Sequence, residues 1–370
     1  MSKKILIIFW GHPLFDGRAM NMINQLINQK HEVCVLGVGL KSEKINYKNS
    51  RIKIIDNKLL QNRITKYFIF FKYVKQFISK NKPNVIIASD LYSMIPSAQI
   101  KYKQKTSLIY DSRELYTKLG GLKNKSIIQK IWSYYEKKYI NIVDHVLVTA
   151  NVDKQYLTSL YPDNLNISII KNLPGNSFVN SEKINLKKML CIDKKQKIFL
   201  YQGKFHEGRG IRFSIQCLSQ VQNAVLVLIG NGRMKEKYLN EAVIHNMTQR
   251  IFFIDQVPYE KLAQFSNYGC IGLSVIQPIS KSYENALPNK LFEYAVSGIP
   301  VICSNLIEMK KMIDTYHGGI SINHQNKLEF IEACNKIINN YDDYVISKEL
   351  HPKLLWESQS ITLKKIIETV

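Results

Sequence analysis

Two lysines, an arginine and a glutamate in the second half of the sequence have the types and spacing needed to bind a phosphorylated ligand. After the apolar run 197–201 the chain continues as QGKFHEGRGI, which places Lys204 and Arg209 five residues apart in a loop that begins at Gly203. Glycine lets the backbone approach a ligand closely, and two cations beside a helix start can converge on one anion, such as a diphosphate. A solvated basic turn would contain the same residues, so this loop alone leaves both interpretations open.

A second candidate is the predicted helix start ALPNKLFEY at 286–294. Pro288 suits the first turn of a helix, where free backbone amides favour a negatively charged group. Glu293 lies one turn further on and could accept hydrogen bonds from two neighbouring hydroxyls, such as those of a ribose. A buried salt bridge between Lys290 and Glu293 is the structural alternative.

The turn at 229–232, IGNG, is a weaker signal. Gly230 and Asn231 separate a predicted strand from a predicted helix, where they could contact the same ligand. A plain tight turn explains the same residues.

Polar residues of the first half also follow predicted strands. His12 and Asp16 come after the first strand, Arg18 begins the next helix, and Asp90 and Asp111 follow two later strands. Ligands of open parallel sheets bind beyond the carboxyl ends of the strands, so these side chains could contact a sugar or an acceptor. The alternatives are loop or helix capping by the carboxylates and a pair between Arg18 and Asp16.

The elements that must position these residues are short apolar runs separated by amphipathic segments of helix length. Twelve runs have the length and composition of strands: 4–9, 32–38, 51–55, 84–88, 106–110, 144–149, 167–170, 197–201, 224–230, 250–254, 270–275 and 299–303. This alternation predicts parallel sheets that helices cover on both faces.

The runs fall into two sets, which predicts two doubly wound, Rossmann-like α/β domains facing across a cleft. We expect an N-terminal domain at 1–175, a linker at 176–195, a second domain at 196–350 and a final helical segment at 351–370. The linker is expected because its Pro, Gly, Asn and Ser residues follow no clear period.

The net charge of +23 is concentrated in the first half, where residues 1–180 carry +17 and residues 181–370 carry +6. A lysine-rich composition accounts for part of the excess, but the asymmetry indicates an acidic partner for the first half. Segments 58–82 and 123–139 combine lysines with many aromatic residues, which suits helices lying on an anionic membrane surface or, alternatively, helices packing their rings on the sheet. No nucleic-acid-binding motif is recognisable, so nucleic acid is not an expected partner.

Composition argues against a metal site and a membrane span. The six cysteines are scattered without a CxxC pair, as expected for reduced core residues of a cytosolic protein. The paired Asp342 and Asp343 lie in a late polar segment, so we expect no metal. No apolar run has the length of a transmembrane helix, and the run that ends at Gly11 predicts a buried strand rather than a signal peptide.

Three segments taken in order resemble the nucleotide-sugar half of the GT-B glycosyltransferases of family 4, a retaining group: 201–211, 229–232 and 286–305. The first half is also similar, because FDGRAMNMINQLINQKHEVCVLGV at 15–38 resembles the family's opening region. YDSRELY at 110–116 and IIKNLPG at 169–175 fall where comparable segments of the family do. The resemblance covers nearly the whole chain.

This resemblance implies roles for individual residues. Lys204 and Arg209 would neutralise the diphosphate of the donor, and Glu293 would hold its ribose. Other donor contacts are implied at Gly203, Gly230, Asn231, Asn285, Leu287, Pro288, Asn289 and Lys290. It further implies that the C-terminal helix returns to the first domain, and that the nucleotide sugar is a co-substrate with no additional cofactor or metal.

Two positions depart from the family pattern. The family commonly has a glutamate eight residues before the ribose-binding one, where this chain has Asn285, and often a histidine where this chain has Arg113. Both positions concern the transferred sugar, so its identity stays open.

The sequence therefore predicts a transferase that moves a hexosyl or N-acetylhexosaminyl group from a UDP- or GDP-sugar to a lipid-linked or cell-envelope glycan. It would work with retention, the leaving phosphate taking the acceptor's proton, as a peripheral protein on the cytoplasmic face of the cell membrane. The alternatives are a nucleotide-sugar epimerase of the same fold and a catalytically silent homologue that binds glycan or partners another transferase.

Overall fold

The structure is a computed structural model that describes residues 2–62, 65–161, 165–266 and 268–370; Arg63 of the basic segment 58–82 lies outside these ranges. The chain divides into two compact units. Unit 1 comprises Met1–Lys171 with Gln359–Val370, and unit 2 comprises Asn172–Ser358. In this division residues 176–195 belong to unit 2, and the last helix belongs to unit 1.

Unit 1 contains one eight-stranded sheet. Its strands are β1 Lys4–Ile8, β2 Glu32–Gly39, β3 Glu43–Tyr47, β4 Ser50–Asp56, β5 Val85–Ala88, β6 Ser107–Ser112, β7 His145–Val148 and β8 Ile167–Ile169. The helices between them are α1 Gly17–Asn28, α2 Lys66–Asn81, α3 Leu91–Gln104, α4 Ser126–Ile140 and α5 Asn151–Leu160. The strand order is β3-β4-β2-β1-β5-β6-β7-β8, and all neighbours are parallel except the pair of β3 and β4.

Unit 2 contains a six-stranded parallel sheet. Its strands are β9 Lys197–Gln202, β10 Ala224–Ile229, β11 Ile251–Ile254, β12 Ile271–Ser274, β13 Val301–Ser304 and β14 Gly319–Ile322, in the order β11-β10-β9-β12-β13-β14. Its helices are α6 Asn176–Val179, α7 Leu186–Met189, α8 Ile211–Leu218, α9 Lys235–Ile244, α10 Tyr259–Leu262, α11 Lys281–Glu284, α12 Asn289–Val296, α13 Ile307–Tyr316 and α14 Lys327–Asn339.

The last helix, α15 Ser360–Thr369, packs in unit 1. The Lys3 ammonium donates hydrogen bonds to the carbonyls of Ile367 and Val370 at 2.6 and 2.7 Å, and the Gln25 amide donates to the carbonyl of Ser360 at 2.7 Å. Side chains of unit 1 thus satisfy carbonyls at both ends of this helix.

The predicted fold class is confirmed, and all twelve predicted strands are present. Apolar runs predict them well because strands β1, β5 and β10 are buried along nearly their whole length. Two strands were missed. Strand β3 alternates between half-buried and exposed residues at an antiparallel edge, and β14 is a short edge strand, so neither produces an apolar run.

The expectation for the cysteines holds for five of them, which are buried, whereas Cys191 is exposed; all six are free. Within the described ranges, no helix is both long enough and apolar enough to cross a bilayer.

Each sheet reverses its direction of winding at one place. In unit 1 the chain winds outward through β2 and β4 on one side of β1, and through β5 to β8 on the other. In unit 2 the same change occurs between β9 and β12. Ligands of doubly wound sheets bind at such a switch point, beyond the carboxyl ends of the two strands, so the loops after β1, β5, β9 and β12 are the places to look for a site.

Helix α4 carries a carboxylate on its buried face. Glu136 is 2% exposed and accepts hydrogen bonds from the hydroxyls of Tyr110 at 3.2 Å and Tyr161 at 3.0 Å. Burial raises the pKa of Glu136 to about 7, although the tyrosine hydrogen bonds oppose the shift. The carboxyl group is therefore protonated in the folded protein at pH values where an exposed glutamate is charged.

This raised pKa predicts a pH-dependent stability that the substitution Glu136→Gln removes. The native state holds an extra proton between the unfolded pKa near 4.5 and the folded pKa of about 7, so the contribution of Glu136 is complete below pH 4.5 and is lost as the pH rises through 7. Between pH 5 and pH 8, the free energy of unfolding of Glu136→Gln should rise by about 3 kcal/mol relative to that of the wild type. Urea unfolding across this range measures the difference. The control Glu114→Gln replaces an exposed carboxylate; a pH-independent difference for Glu136→Gln would contradict the assignment.

Candidate functional site

The loop after β9 lies at the switch point of unit 2, where its glycines permit backbone contacts on both sides. On one side, the Gly203 amide donates to the carbonyl of Ile229 at 2.9 Å, and a β-carbon on Gly230 would come within 2.0 Å of the Gly203 carbonyl oxygen. On the other side, a β-carbon on Gly210 would lie 1.8 Å from the Val275 carbonyl oxygen. Gly230 and Gly210 have φ of +145° and +71°, a region that favours glycine. A side chain at position 230 would therefore displace the loop that carries Lys204 and Arg209, so this loop conformation requires Gly230.

Asn231 completes this backbone junction. Its carbonyl accepts a hydrogen bond of 2.7 Å from the amide of Phe205, whose ring is fully buried. The loop 203–210 is thereby held to the turn at 230–232 by main-chain contacts that do not occupy its charged side chains.

Three cationic side chains belong to this region. Lys204 is exposed, while the guanidinium carbon of Arg209 lies 4.8 Å from the centre of the Tyr283 ring. Lys290 is 7% exposed, and its ammonium lies 3.6 Å from the centre of the Tyr201 ring and beside Gly203. Both contacts place a cationic group over an aromatic face, which attracts positive charge.

The environment of Lys290 is unfavourable for its own charge. Burial lowers the pKa of Lys290 well below its ordinary value, and the nearby charge of Arg209 lowers it further. Among the described residues no ion pair joins Lys290 to Glu293, so the salt bridge considered as an alternative from the sequence is absent. An anionic ligand at Gly203 would supply the counter-charge that Lys290 lacks.

Glu293 is a buried carboxylate held by a chain of polar side chains. The amide nitrogen of Gln202 donates to Glu293 Oε2 at 2.5 Å, and the amide oxygen of Gln202 accepts from the hydroxyl of Ser266 at 3.1 Å. An ionised carboxylate can only accept hydrogen bonds, so Glu293 orients the Gln202 nitrogen towards itself and leaves the amide oxygen to the Ser266 hydroxyl. Burial raises the pKa of Glu293 to about 7, opposed by the hydrogen bonds from Gln202 and Tyr259 and by the charge of Lys290.

Helix α12 begins at the predicted place. Pro288 occupies the N-cap position with extended backbone and makes no side-chain cap, while its carbonyl accepts a hydrogen bond of 3.1 Å from the amide of Leu291. Leu287 is buried before the cap, and Asn289 is half-buried in the first turn.

The departure from the family pattern before α12 places a neutral side chain in a buried position. Asn285 is 6% exposed at the end of α11. The neighbouring Glu284 is 46% exposed and pairs with Lys281 at 3.0 Å, so its carboxylate does not occupy the place of the missing glutamate.

The candidate residues of unit 1 form a network of charge pairs. Arg18 and Asp111 are each 1% exposed, and the arginine approaches both carboxylate oxygens of Asp111 at 2.6–3.0 Å. Arg18 also donates to the Ile170 carbonyl at 2.6 Å. Asp16 caps α1 by accepting from the amide of Ala19 and pairs with Arg113.

Two further candidates of unit 1 have separate partners. Asp90 caps α3 by accepting from the amide of Ser93 at 2.7 Å and also accepts from the amide of Trp10 at 2.5 Å. Burial raises the pKa of Asp90, against the effect of these hydrogen bonds. His12 lies outside the charge network and contacts the carboxylate of Glu43 through Nε2 at 3.1 Å.

The structure thus brings the predicted donor residues together around the loop 203–210 and joins Asp16, Arg18, Asp111 and Arg113 into one network. Their roles towards a ligand stay predictions. Among the described residues, no cluster of three or more His, Cys, Asp or Glu side chains could hold a metal ion.

Sequence reasoning missed Gln202, Tyr201 and Tyr283. Gln202 ends a buried strand and is itself 2% exposed. A polar residue at the last position of a buried central strand is the signal that could have revealed it, because such a side chain needs a buried partner. The tyrosine contacts arise from tertiary packing, and nothing in the local sequence indicates them.

Comparisons with known proteins match both halves of the chain. The family described as "Glycosyltransferase Family 4" matches residues 18–173, and the family described as "Glycosyl transferases group 1" matches residues 196–340. An uncharacterised glycosyltransferase of Methanocaldococcus jannaschii, MJ1607, is 20% identical over 186 residues, which are 48% of this chain and 46% of that protein. The chain therefore aligns with about half the length of this curated relative.

Solved structures share the fold over the full length. Sucrose-phosphate synthase from Thermosynechococcus elongatus aligns with a TM-score of 0.80 at 17% identity, covering 100% of this chain and 99% of that one. The Anabaena protein HepE, solved in complex with UDP-glucose, aligns with a TM-score of 0.75 at 11% identity, covering 100% of both chains.

The pairs Arg18–Asp111 and Arg113–Asp16 differ in exposure, so we expect them to contribute differently to the free energy of unfolding. Arg18→Met should destabilise the protein by about 3–5 kcal/mol, because it leaves Asp111 as a buried carboxylate without its bidentate partner. Arg113→Met should lower the free energy of unfolding by only about 1 kcal/mol, because Asp16 is 29% exposed and water can solvate it. Urea unfolding of both variants measures these losses in stability. Equal losses in the two variants would contradict the expectation that the Arg18 pair contributes more to stability than the Arg113 pair.

Proposed function

The chain belongs to the GT-B glycosyltransferases of family 4, and from this premise we propose that it transfers a sugar from a UDP-sugar or GDP-sugar to a lipid-linked or cell-envelope glycan. The observation that carries the proposal is the arrangement of Lys204, Arg209 and Lys290 around a glycine loop at the switch point of unit 2. A donor made of a nucleoside, a diphosphate and a sugar matches the chemistry of this region. The UDP and UDP-glucose complexes of HepE favour uracil as the base.

The cations would act on the leaving group. Breaking the anomeric bond of a nucleotide sugar places negative charge on the departing diphosphate, and each well-positioned donor lowers the barrier by roughly 3 kcal/mol. Lys204 and Arg209 are proposed to contact the diphosphate, with the amides at the start of α12. The negative charge of the diphosphate would raise the pKa of Lys290 and so favour its ammonium form.

Glu293 is proposed to bind the ribose. The hydrogen bond from Gln202 fixes Glu293 Oε2, which orients the carboxylate before the nucleotide binds. Ionisation strengthens its capacity to accept hydroxyl hydrogen bonds, so nucleotide binding should favour the charged form of Glu293.

This chain departs from the family pattern at Asn285 in unit 2 and at Arg113 in unit 1. Asn285 can donate as well as accept hydrogen bonds, unlike a carboxylate, and Arg113 is positively charged where the family often has histidine. We propose that these residues determine which hexosyl or N-acetylhexosaminyl group is transferred. Transfer with retention would use the leaving phosphate as the base for the acceptor hydroxyl, with no metal or additional cofactor.

We propose that unit 1 binds an anionic membrane surface through α4. Residues 123–139 include five exposed apolar or aromatic side chains: Ile127, Ile128, Ile131, Tyr134 and Tyr135. Ile127, Ile131 and Tyr134 lie on the helix face away from Trp132 and Glu136, and Ile128 and Tyr135 flank the buried face. Every exposed charged residue in this segment is a lysine, since Glu136, its one acidic residue, is buried. Apolar side chains flanked by lysines suit the headgroup region of an anionic bilayer, which would place the protein on the inner face of the cell membrane.

The other basic segment is packed differently. Within the described part of 58–82, Phe70, Val74 and Ile78 of α2 are buried, while Phe68 is 72% exposed. We therefore propose α4, rather than α2, as the principal membrane contact.

A catalytically silent homologue is the second candidate, because the family's glutamate is replaced by Asn285. Such a protein would keep nucleotide or glycan binding without transfer. Release of UDP or GDP from a nucleotide sugar by the purified protein, lost in Lys204→Ala, would exclude it.

The donor site predicts selective stabilisation by nucleoside diphosphates. UDP or GDP at 100 times its dissociation constant should stabilise the protein by about 3 kcal/mol and raise its melting temperature. Lys204→Ala should weaken diphosphate binding about tenfold and leave the monophosphate nearly unchanged, because it removes one charge-assisted contact. Glu293→Gln should weaken the binding of both the diphosphate and the monophosphate, because both contain the ribose that Glu293 is proposed to contact. Thermal-shift titrations with Glu332→Ala as an exposed control in unit 2 test this; no response to any nucleotide would contradict a donor site.

The membrane surface predicts binding to acidic liposomes that depends on α4. Ile127→Ser combined with Ile131→Ser should reduce binding to vesicles of phosphatidylcholine with phosphatidylglycerol at least tenfold, because two exposed apolar side chains are lost. The matched control in unit 2 combines Ile307→Ser with Leu328→Ser, which are 67% and 72% exposed before substitution. Co-sedimentation at low and high salt measures binding. Equal binding to neutral and acidic vesicles, or equal loss in both double variants, would count against the proposal.

A further inference from the structure

The switch point of unit 1 is occupied by aromatic side chains. Trp10 follows β1 directly, and Tyr92 lies in the first turn of α3, just after β5. Tyr67, in the first turn of α2, and Tyr116, after β6, adjoin them. We call these four half-buried residues the aromatic cluster. Its location matters because the ends of β1 and β5 are where a doubly wound sheet holds its ligand.

The rings of the aromatic cluster are tilted or edge to face relative to one another and adjoin two buried rings. The Trp10 ring centre lies 5.5 Å from that of Tyr67 and 5.8 Å from that of Tyr92, and Tyr92 lies 6.1 Å from Tyr116. Beneath them, Phe70 lies 4.8 Å from Trp10, and Trp132 lies 4.7 Å from Tyr67. Phe70 is fully buried and Trp132 is 7% exposed. The aromatic cluster therefore packs on buried rings, while its own four rings are partly exposed.

Hydrogen bonds hold the cluster in place. The carboxylate of Asp90 fixes the backbone at Trp10 and at Ser93, and the hydroxyl of Tyr116 donates to the Ser89 carbonyl at 3.0 Å. The hydroxyls of Tyr67 and Tyr92 also interact with each other. The site is thus preorganised, and ordering it on binding would cost little.

A cation lies over the cluster. The Lys66 ammonium lies 4.9 Å from the centre of the Tyr67 ring and 5.8 Å from that of Trp10. No carboxylate of the described residues forms an ion pair with Lys66. The side chain is half-buried, so it faces the rings with its charge uncompensated, and an anionic group would complete it.

We infer that the aromatic cluster and Lys66 form a binding subsite for a glycosyl phosphate, in which the sugar ring lies on the Trp10 and Tyr67 faces and the phosphate contacts Lys66. Amphipathic rings with hydroxyl groups suit a ligand that has both C–H faces and hydroxyls, as a sugar does. This inference rests on the proposed transferase function and identifies the acceptor as a saccharide bearing a phosphate. The sugar phosphate of a lipid-linked saccharide and that of a phosphate-containing polymer share this chemistry.

The test uses glucose 1-phosphate as the probe and the full chain as the protein. Saturation-transfer NMR should detect binding in the millimolar range, with the sugar ring protons receiving saturation. Trp10→Leu should weaken binding about threefold to tenfold, and Trp10→Phe should restore most of it, because the ring face is kept. Lys66→Gln should weaken binding about tenfold and remove its salt dependence.

Matched controls come from the same helices. Lys72→Gln removes an exposed lysine of α2, and Tyr102→Leu removes a 74% exposed ring of α3 that also has a lysine ammonium near its face. Both should leave the affinity for glucose 1-phosphate unchanged. Melting temperatures of all variants show whether they are folded.

Other probes separate the possible ligands. Glucose and inorganic phosphate, each alone, should bind at least tenfold more weakly than glucose 1-phosphate. Dodecyl phosphate binding in a manner sensitive to Trp10, with no binding of glucose 1-phosphate, would overturn the inference in favour of a lipid-chain site. Equal loss in the control variants would overturn it as well.

A parallel titration with UDP distinguishes this inference from the proposed function. UDP binding that persists in Trp10→Leu while glucose 1-phosphate binding is lost supports both. UDP binding without any glucose 1-phosphate binding by the wild type would overturn the subsite alone. Loss of response to every nucleotide would instead count against the proposed function.

Discussion

Burial of both sheet faces is the constraint on which the rest of this protein depends. The strands β1, β5, β9 and β10 are apolar along their length and covered by helices, so they offer almost no position for a solvated polar group. Charged and hydrogen-bonding side chains must therefore lie beyond the strand ends. The glycine loop after β9 and the carboxylate Asp90 after β5 follow from this requirement. Asp111, by contrast, lies within β6 next to its last residue, where Arg18 compensates its buried charge.

Charge is arranged differently in the two units. In unit 1 the arginines at the strand ends are compensated within the protein, with Arg18 paired to Asp111 and Arg113 to Asp16. In unit 2 no ion pair among the described residues compensates Lys204 or Lys290, and the ammonium of Lys290 lies on an aromatic face. The charge of a paired arginine is compensated within the protein, whereas burial disfavours the charge of Lys290. The uncompensated positions are therefore the better indication of where an anion binds.

The extent to which sequence predicts this molecule follows from the same distinction between local and tertiary signals. Continuous apolar runs predicted twelve strands because buried parallel strands consist of such runs, whereas the alternating edge strand β3 and the short β14 produce none. The loop of Lys204 and Arg209 was identified because glycines, cations and a helix start are adjacent in sequence. The contact of Gln202 with Glu293 joins residues 91 positions apart, so no local pattern indicates it. For the same reason, the sequence suggested Asp16 as a partner for Arg18, whereas the structure also pairs Arg18 with Asp111, 93 residues away.

The donor region also shows how burial can prepare a site for a charged ligand. Burial lowers the pKa of Lys290 and raises that of Glu293 to about 7, so burial disfavours the charged form of each group. A diphosphate beside Lys290 would favour the charged ammonium, and ribose hydroxyls would favour the charged carboxylate. The two pKa changes would be opposite in sign, because the diphosphate raises the pKa of the lysine and the ribose lowers that of the glutamate. A site of this kind would favour a ligand that carries both a diphosphate and a ribose over one that carries only one of them.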